Sequence, residues 1–95
     1  MIGKYCIVRS LGAGVFAGTL KERIGDEAVL ANARRIWSWA GAASLSQLAM
    51  EGVKRPEECR FAMAVNEICI LGVVEVIPCT EVATQNILEV PVWKA

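Results

Sequence analysis

The chain has 95 residues, of which 55% are hydrophobic and 21% charged, and its ten basic and ten acidic side chains balance. This length suits one domain, residues 1–95, and is too short for two. A zero net charge argues against long nucleic acid as a partner, because such binding needs a basic surplus that displaces counterions. The chain also lacks histidine, the commonest general base and metal ligand. We therefore predict that the protein is not an enzyme and has no catalytic residue, metal site or cofactor.

The high hydrophobic fraction bears on assembly and location. A chain this short buries only roughly 60–65% of the surface that its unfolded form exposes, so surplus apolar surface predicts a homo-oligomer. No stretch offers the roughly 20 apolar residues of a membrane span, and no secretory signal is visible. We expect a cytoplasmic protein with no membrane partner. Its four cysteines form no C-x-x-C pair, which favours reduced thiols over a zinc site.

The first part of the chain predicts three strands. Tyr5–Arg9 is rich in β-branched and aromatic residues, and Val15–Ile24 alternates in part between apolar and polar side chains. After a turn at Gly25-Asp26, Glu27–Trp37 is predicted to return as a third strand, which makes a hairpin.

The pattern changes period at Ser44. Ser44 and Gln47 have the spacing of a capping box, which predicts a helix of about two turns that ends at Gly52. A fourth strand is predicted over Arg60–Val65 and a fifth over Ile68–Ile77, with a tight turn between them.

The end of the chain predicts a second helix. The fifth predicted strand contains Gly72, where a bulge is expected. Thr80 can then cap a helix over Glu81–Glu89, and Val90–Trp93 is an extended tail. The sequence therefore predicts an α+β fold: a small antiparallel sheet of about five strands with a short central helix and a C-terminal helix.

The candidate binding residues begin in the third predicted strand. Alternation places Arg35, Trp37 and Trp39 on one face of that strand. Two indole rings and a cation make a stacking surface, and Arg34 or Arg35 can hold a phosphate with two parallel hydrogen bonds.

The start of the central helix completes the predicted site. Ser44, Ser46 and Gln47 offer hydrogen bonds there, close to free backbone N–H groups. The small residues that begin at Gly41 permit close approach. Together these features predict a small, flat, anionic, nucleotide-like ligand.

The same residues support other interpretations. Tryptophans are also common in protein cores and subunit interfaces. The arginines can pair with glutamates, and the small residues at Gly41 can let the helix pack on the sheet. Cys79 lies just before the predicted last helix, where a lowered pKa would make it a nucleophile, so an enzyme is a third interpretation.

The segment Arg34–Gly52, with its Trp-Ser-Trp and Gly-Ala-Ala-Ser-Leu-Ser-Gln-Leu-Ala motifs, resembles a family of small proteins of unassigned function from tailed bacteriophages and prophages. The resemblance continues through Gly14–Leu20, Pro56–Phe61, Glu75–Thr80 and Val90–Trp93. It implies a phage-encoded accessory protein of the host bacterial cytoplasm. Such proteins are similar in kind to anti-defence sponges, which sequester cyclic nucleotide or cyclic ADP-ribose immune signals. A structural phage component, or an inhibitor of a host protein, is the alternative.

Overall fold

Six strands and two helices make up the computed structural model, which describes residues 1–94. The elements are β1 (Tyr5–Ser10), β2 (Gly14–Ile24), β3 (Glu27–Ser38), α1 (Leu45–Glu51), β4 (Arg60–Phe61), β5 (Val65–Ile70), β6 (Val73–Pro78) and α2 (Glu81–Glu89), with a short 3-10 turn at Pro56–Glu58. The predicted α+β class is confirmed. No helix within residues 1–94 is both long and apolar enough to cross a membrane.

The sheet is antiparallel and strongly curled. Its strands follow the order β4-β3-β2-β1-β6, and β5 pairs with the first half of β3 on the side that β4 also uses. Only Leu71 and Gly72 join β5 to β6, although these strands lie at opposite edges. A link of two residues brings these two edges of the sheet close together. The sheet must therefore bend into a half-open barrel.

Irregular pairing between β2 and β3 permits this bend. The register shifts around Gly18, and Asn32 on the facing strand has a positive φ of 50°. A Cβ atom at Gly18 would lie 3.0 Å from the Ala31 carbonyl oxygen, which is tighter than ordinary packing. Bulges of this kind increase strand twist, so a glycine is needed at the bend.

The fourth and fifth strands differ from the prediction. The predicted strand Arg60–Val65 is only Arg60–Phe61, and residues 66 and 67 continue β5 instead of forming a turn. The predicted strand Ile68–Ile77 is divided at Gly72, whose φ of 69° belongs to a turn. The Gly72 carbonyl accepts from Leu11 N at 3.0 Å, so the reversal is held by contacts distant in sequence.

The curled sheet separates two apolar cores. The inner core fills the concave side between strands. The helix-side core lies between the convex side and both helices. Alternating residues divide between them; Cys6 and Val8 face inward, for example, and Ile7 faces the helices. The largest fully buried members of the inner core are Phe16, Leu30 and Ile70, and those of the helix-side core are Phe61, Ile7, Leu48 and Ile87.

Both helices begin at the predicted caps. The Ser44 hydroxyl accepts from Gln47 N at 3.1 Å, and the Gln47 side-chain oxygen accepts from Ala43 N at 2.8 Å. The Thr80 hydroxyl accepts from Ala83 N at 3.0 Å. These bonds satisfy backbone donors that a helix start leaves without partners, and they confirm the predicted start of each helix.

Candidate functional site

Arg34 is a structural residue of the helix-side core. Its side chain is 4% exposed, and its guanidinium donates to five backbone carbonyl groups at 2.7–3.4 Å. Two of these acceptors, Ile87 and Val90, lie at the end of α2, where the i+4 helical bonds end; the Ile87 carbonyl also accepts from Val90 N at 3.3 Å. The prediction that Arg34 holds an anionic ligand does not fit this geometry, because its donors already have acceptors.

Arg35 points to the opposite face and has a different environment. Its guanidinium carbon lies 4.7 Å from the centre of the Phe16 ring and 5.5 Å from that of Trp37. No carboxylate within residues 1–94 forms an ion pair with it, and its buried Nε atom has no hydrogen-bond partner. The expected pairing of Arg35 and Trp37 on one face therefore occurs, and the cation remains available to a ligand.

A cleft of about 320 Å³ opens beside Trp37, between β3, β4 and the C-terminal segment. We call it the tryptophan cleft; its lining residues are Trp37, Ser38, Arg60 and Trp93. The guanidinium carbon of Arg60 lies 5.3 Å from the centre of the Trp93 ring, and the two tryptophans are 59% and 47% exposed. Two exposed indole rings, each with an arginine over it (Arg35 over Trp37 and Arg60 over Trp93), can receive a planar anion.

Main-chain bonds position Trp93 in this cleft. Trp93 N donates to the Phe61 carbonyl at 2.9 Å, and Val92 forms a parallel bridge with Phe61. Arg34 holds the same segment by donating to the Pro91 carbonyl. The buried arginine thus helps to place a ring of the cleft without touching the cleft itself.

Comparison with protein families assigns the chain to a family. The family described as "Domain of unknown function (DUF6948)" matches residues 3–87. The chain belongs to the DUF6948 family. No curated protein and no solved structure gives a significant match. In this DUF6948 protein, Trp37 and Arg60 lie inside the matched region, and Trp93 lies beyond it.

Trp39 of the DUF6948 protein does not share the face of Trp37. It follows the end of β3, packs against the helix-side core and donates from Nε1 to the Ala42 carbonyl at 3.1 Å. The expected triplet of Arg35, Trp37 and Trp39 is therefore divided, because strand alternation stops at Ser38.

The start of α1 is also separate from the tryptophan cleft. Leu45 and Leu48 of α1 pack in the helix-side core, on the other face of the sheet from Trp37. The side chains of Ser44 and Gln47 cap the helix, and Ser46 is exposed on it. The structure therefore does not bring these three polar residues together with Arg35 and Trp37.

The small residue Gly41 serves packing in this DUF6948 protein. Its φ is 89°, and an added Cβ would lie 2.8 Å from Arg55 N. The alternative interpretation, in which small residues let neighbouring segments approach, fits this contact. The segment that lies against Gly41 is the chain's own backbone at Arg55.

Sequence reasoning misses Arg60 and Trp93 as site residues. Both lie at the ends of short extended segments whose partners are far away in sequence. One signal is available: Trp93 follows Pro91 in a tail that cannot continue a helix, so its large ring needs a partner outside α2.

A larger groove, of about 820 Å³, runs along the start of α2. Lys4 and Glu81 line it with opposite charges, which suits a flat anion less well than the tryptophan cleft does. Burial raises the pKa of Tyr5 and the pKa of Cys79, each to about 12. A raised pKa favours the protonated thiol of Cys79 at neutral pH, whereas a nucleophilic cysteine needs a lowered pKa.

Proposed function

We propose that the protein binds a flat, anionic, nucleotide-like ligand in the tryptophan cleft and does not convert it. The observation that carries this proposal is that Trp37, Trp93 and Arg60 line one open cleft, with Arg60 over the Trp93 ring. Arg60 has no ion-pair partner within residues 1–94, so its charge is available to a phosphate.

The chemistry of the cleft matches the two halves of a nucleotide. Stacking of a base on an aromatic side chain contributes roughly 1–3 kcal/mol, and a guanidinium can hold a phosphate with two parallel hydrogen bonds. A volume of about 320 Å³ is near the lower limit of ligand pockets, roughly 300–1,000 Å³. This size favours one nucleotide unit over a long strand.

We further propose that binding serves to sequester a signal. The resemblance of Arg34–Gly52 to small phage and prophage proteins supports a role in the host cytoplasm against a nucleotide-derived immune signal, of the cyclic nucleotide or cyclic ADP-ribose type. Sequestration needs tight binding and no turnover. A protonated Cys79 is consistent with such a role.

Thermal unfolding with a panel of cyclic nucleotides and ADP-ribose derivatives tests this proposal. A ligand at about 100 times its Kd should raise the Tm by on the order of 10 °C. Arg60→Gln and Trp93→Ala should each reduce the shift strongly. Arg23→Gln is the matched control, because Arg23 is exposed and donates only to the nearby Gly25 carbonyl.

Two results would contradict the proposal. One is an absence of any Tm shift across the panel, together with no nucleotide released from the purified protein by heat. The other is a shift that Arg60→Gln and Trp93→Ala leave unchanged, because the ligand would then bind elsewhere.

A second candidate function is a protein interface, either between copies of this chain or with a host or phage protein. The exposure of Trp37 and Trp93 favours it, since tryptophan and arginine dominate binding energy at interfaces. If copies associate here, Trp37→Ala should lower the mass measured by light scattering without any small ligand. An unchanged mass, with no partner bound from lysate, would rule out this function.

A further inference from the structure

A second cleft lies at the open seam of the curled sheet. It runs beside β5 and the β1–β2 turn and has a volume of about 290 Å³. We call it the seam cleft; its lining residues are Gly12, Ala13, Phe16, Arg35, Ile68, Cys69, Ile70 and Leu71. It exists because β5 pairs only with β3, and β6 only with β1, so the barrel is not closed between them.

The lining of the seam cleft is apolar apart from one charge. Phe16 and Ile70 belong to the inner core, and Ile68 packs against it. Leu71 is 62% exposed at the outer end. Arg35 is the only ionisable lining residue besides the Cys69 thiol.

The Nε atom of Arg35 is buried, and residues 1–94 supply no acceptor for it. No side-chain hydrogen bond or ion pair of Arg35 occurs in that part of the chain. The Phe16 ring supports one face of the guanidinium at 4.7 Å. A desolvated donor without an acceptor is unfavourable, so a ligand with oxygen acceptors would be stabilised here.

We propose that the seam cleft binds a small carboxylic acid with an unbranched apolar chain. The carboxylate pairs with Arg35, and the chain lies over Phe16 and Ile68 towards Leu71. One guanidinium balances one negative charge, whereas a phosphate dianion would need further donors that an apolar lining lacks. This site touches the tryptophan cleft only where Arg35 meets the Trp37 ring, and it takes a different class of ligand.

Calorimetric titration with butanoate, hexanoate and octanoate tests the proposal. Affinity should rise about threefold to fourfold for each added methylene group, because each one leaves water for the apolar lining. Octanol, which keeps the chain and lacks the charge, should bind at least tenfold more weakly than octanoate, and so should octylamine in its protonated form.

Two variants locate the ligand. Arg35→Gln should weaken octanoate binding at least tenfold, and Ala13→Leu should do the same by filling the cleft while the cation remains. Arg60→Gln is the matched control: it removes a cation from the tryptophan cleft and should leave octanoate binding unchanged. Circular dichroism and the unfolding midpoint establish that each variant is folded.

The unfolding midpoint provides an independent measure of occupancy. Octanoate should raise the midpoint of the unaltered protein and of Arg60→Gln, but not that of Arg35→Gln. The proposal is overturned if octanoate does not bind, if octanol binds as tightly, or if Arg35→Gln and Ala13→Leu both retain full affinity. Nucleotide binding is tested separately, by the loss of the thermal shift in Arg60→Gln and Trp93→Ala.

Discussion

Neighbouring arginines in β3 have opposite roles, and strand alternation is the reason. Arg34 faces the helices and is surrounded by carbonyl groups, whereas Arg35 faces the concave side and lies on Phe16. From the sequence, both side chains are equally able to bind an anion. Only the burial of each face decides which cation is structural.

Replacing Arg34 should destabilise the fold. Arg34→Gln removes a buried guanidinium that donates to five backbone carbonyl groups, those of Val90 and Pro91 among them, so the free energy of unfolding should fall by roughly 3–5 kcal/mol. Urea unfolding measures this loss. Arg35→Gln, one residue along, is the control and should change stability by less than about 1 kcal/mol. Equal effects of the two variants would contradict the structural role of Arg34.

Tyr5 should make stability depend on alkaline pH. Burial raises the pKa of its hydroxyl to about 12 from 10.0, so the folded protein keeps a proton that the unfolded chain loses first. The stabilising contribution is complete below pH 10.0 and is lost as the pH rises towards 12.

Tyr5→Phe tests this dependence. The Tyr5 hydroxyl has no hydrogen-bond partner within residues 1–94, so its removal should change stability at neutral pH by less than about 1 kcal/mol. Unfolding midpoints measured from neutral to alkaline pH should then decline less steeply in the variant. An unchanged decline would assign the pH dependence to other groups, such as Cys79, whose pKa burial also raises.

At the scale of elements, the end of α1 is fixed by its contact with α2. Gly52 has a φ of 78°, and an added Cβ would collide with the Asn86 side chain. Asn86 itself bonds both backbone groups of Val53, accepting from N at 2.8 Å and donating to the carbonyl at 3.0 Å. The two helices are therefore joined by an amide that mimics a backbone partner.

Gly52→Ala should cost roughly 2–3 kcal/mol, since it combines backbone strain with a steric clash. Thermal or urea unfolding provides the measurement. Gly12→Ala is the matched control: its Cβ would meet nothing within 4 Å, and stability should change by less than about 1 kcal/mol. Similar losses in both variants would argue against the contact between Gly52 and Asn86.

Local patterns predict the elements well where local chemistry decides them. The caps at Ser44 and Thr80 and the meander of β1, β2 and β3 follow from spacing and alternation. The region from Arg60 to Ile77 is predicted poorly because its turn at Gly72 depends on bonds to Leu11 and Asp26. The site is predicted in part: Arg35 and Trp37 meet, but Trp93 comes from a segment whose pairing no local pattern reveals.

At the scale of the whole molecule, one hydroxyl connects the two ends of the curled sheet. The Ser10 hydroxyl is buried, donates to the Leu71 carbonyl at 2.6 Å and accepts from Ala13 N at 3.2 Å. It thereby ties the β1–β2 turn to the β5–β6 link. This bond keeps the two edges of the seam together although their strands do not pair.

Ser10→Ala should lower the free energy of unfolding by roughly 1–3 kcal/mol, because the Leu71 carbonyl loses its donor. Hydrogen exchange should also become faster for the amides of Leu11 and Val73, which bond across the same junction. Ser46→Ala, on the exposed face of α1, is the control. Unchanged exchange in Ser10→Ala would show that the seam is held by other contacts.

The bonds of Arg34 also set an order of events during synthesis. Its acceptors at Ile87, Val90 and Pro91 follow it by 53 to 57 residues. While a ribosome is still adding those residues, the guanidinium must stay in water, because burying an unpaired cation is strongly unfavourable. We therefore expect the helix-side core to close around Arg34 only after Ile87, Val90 and Pro91 have been made.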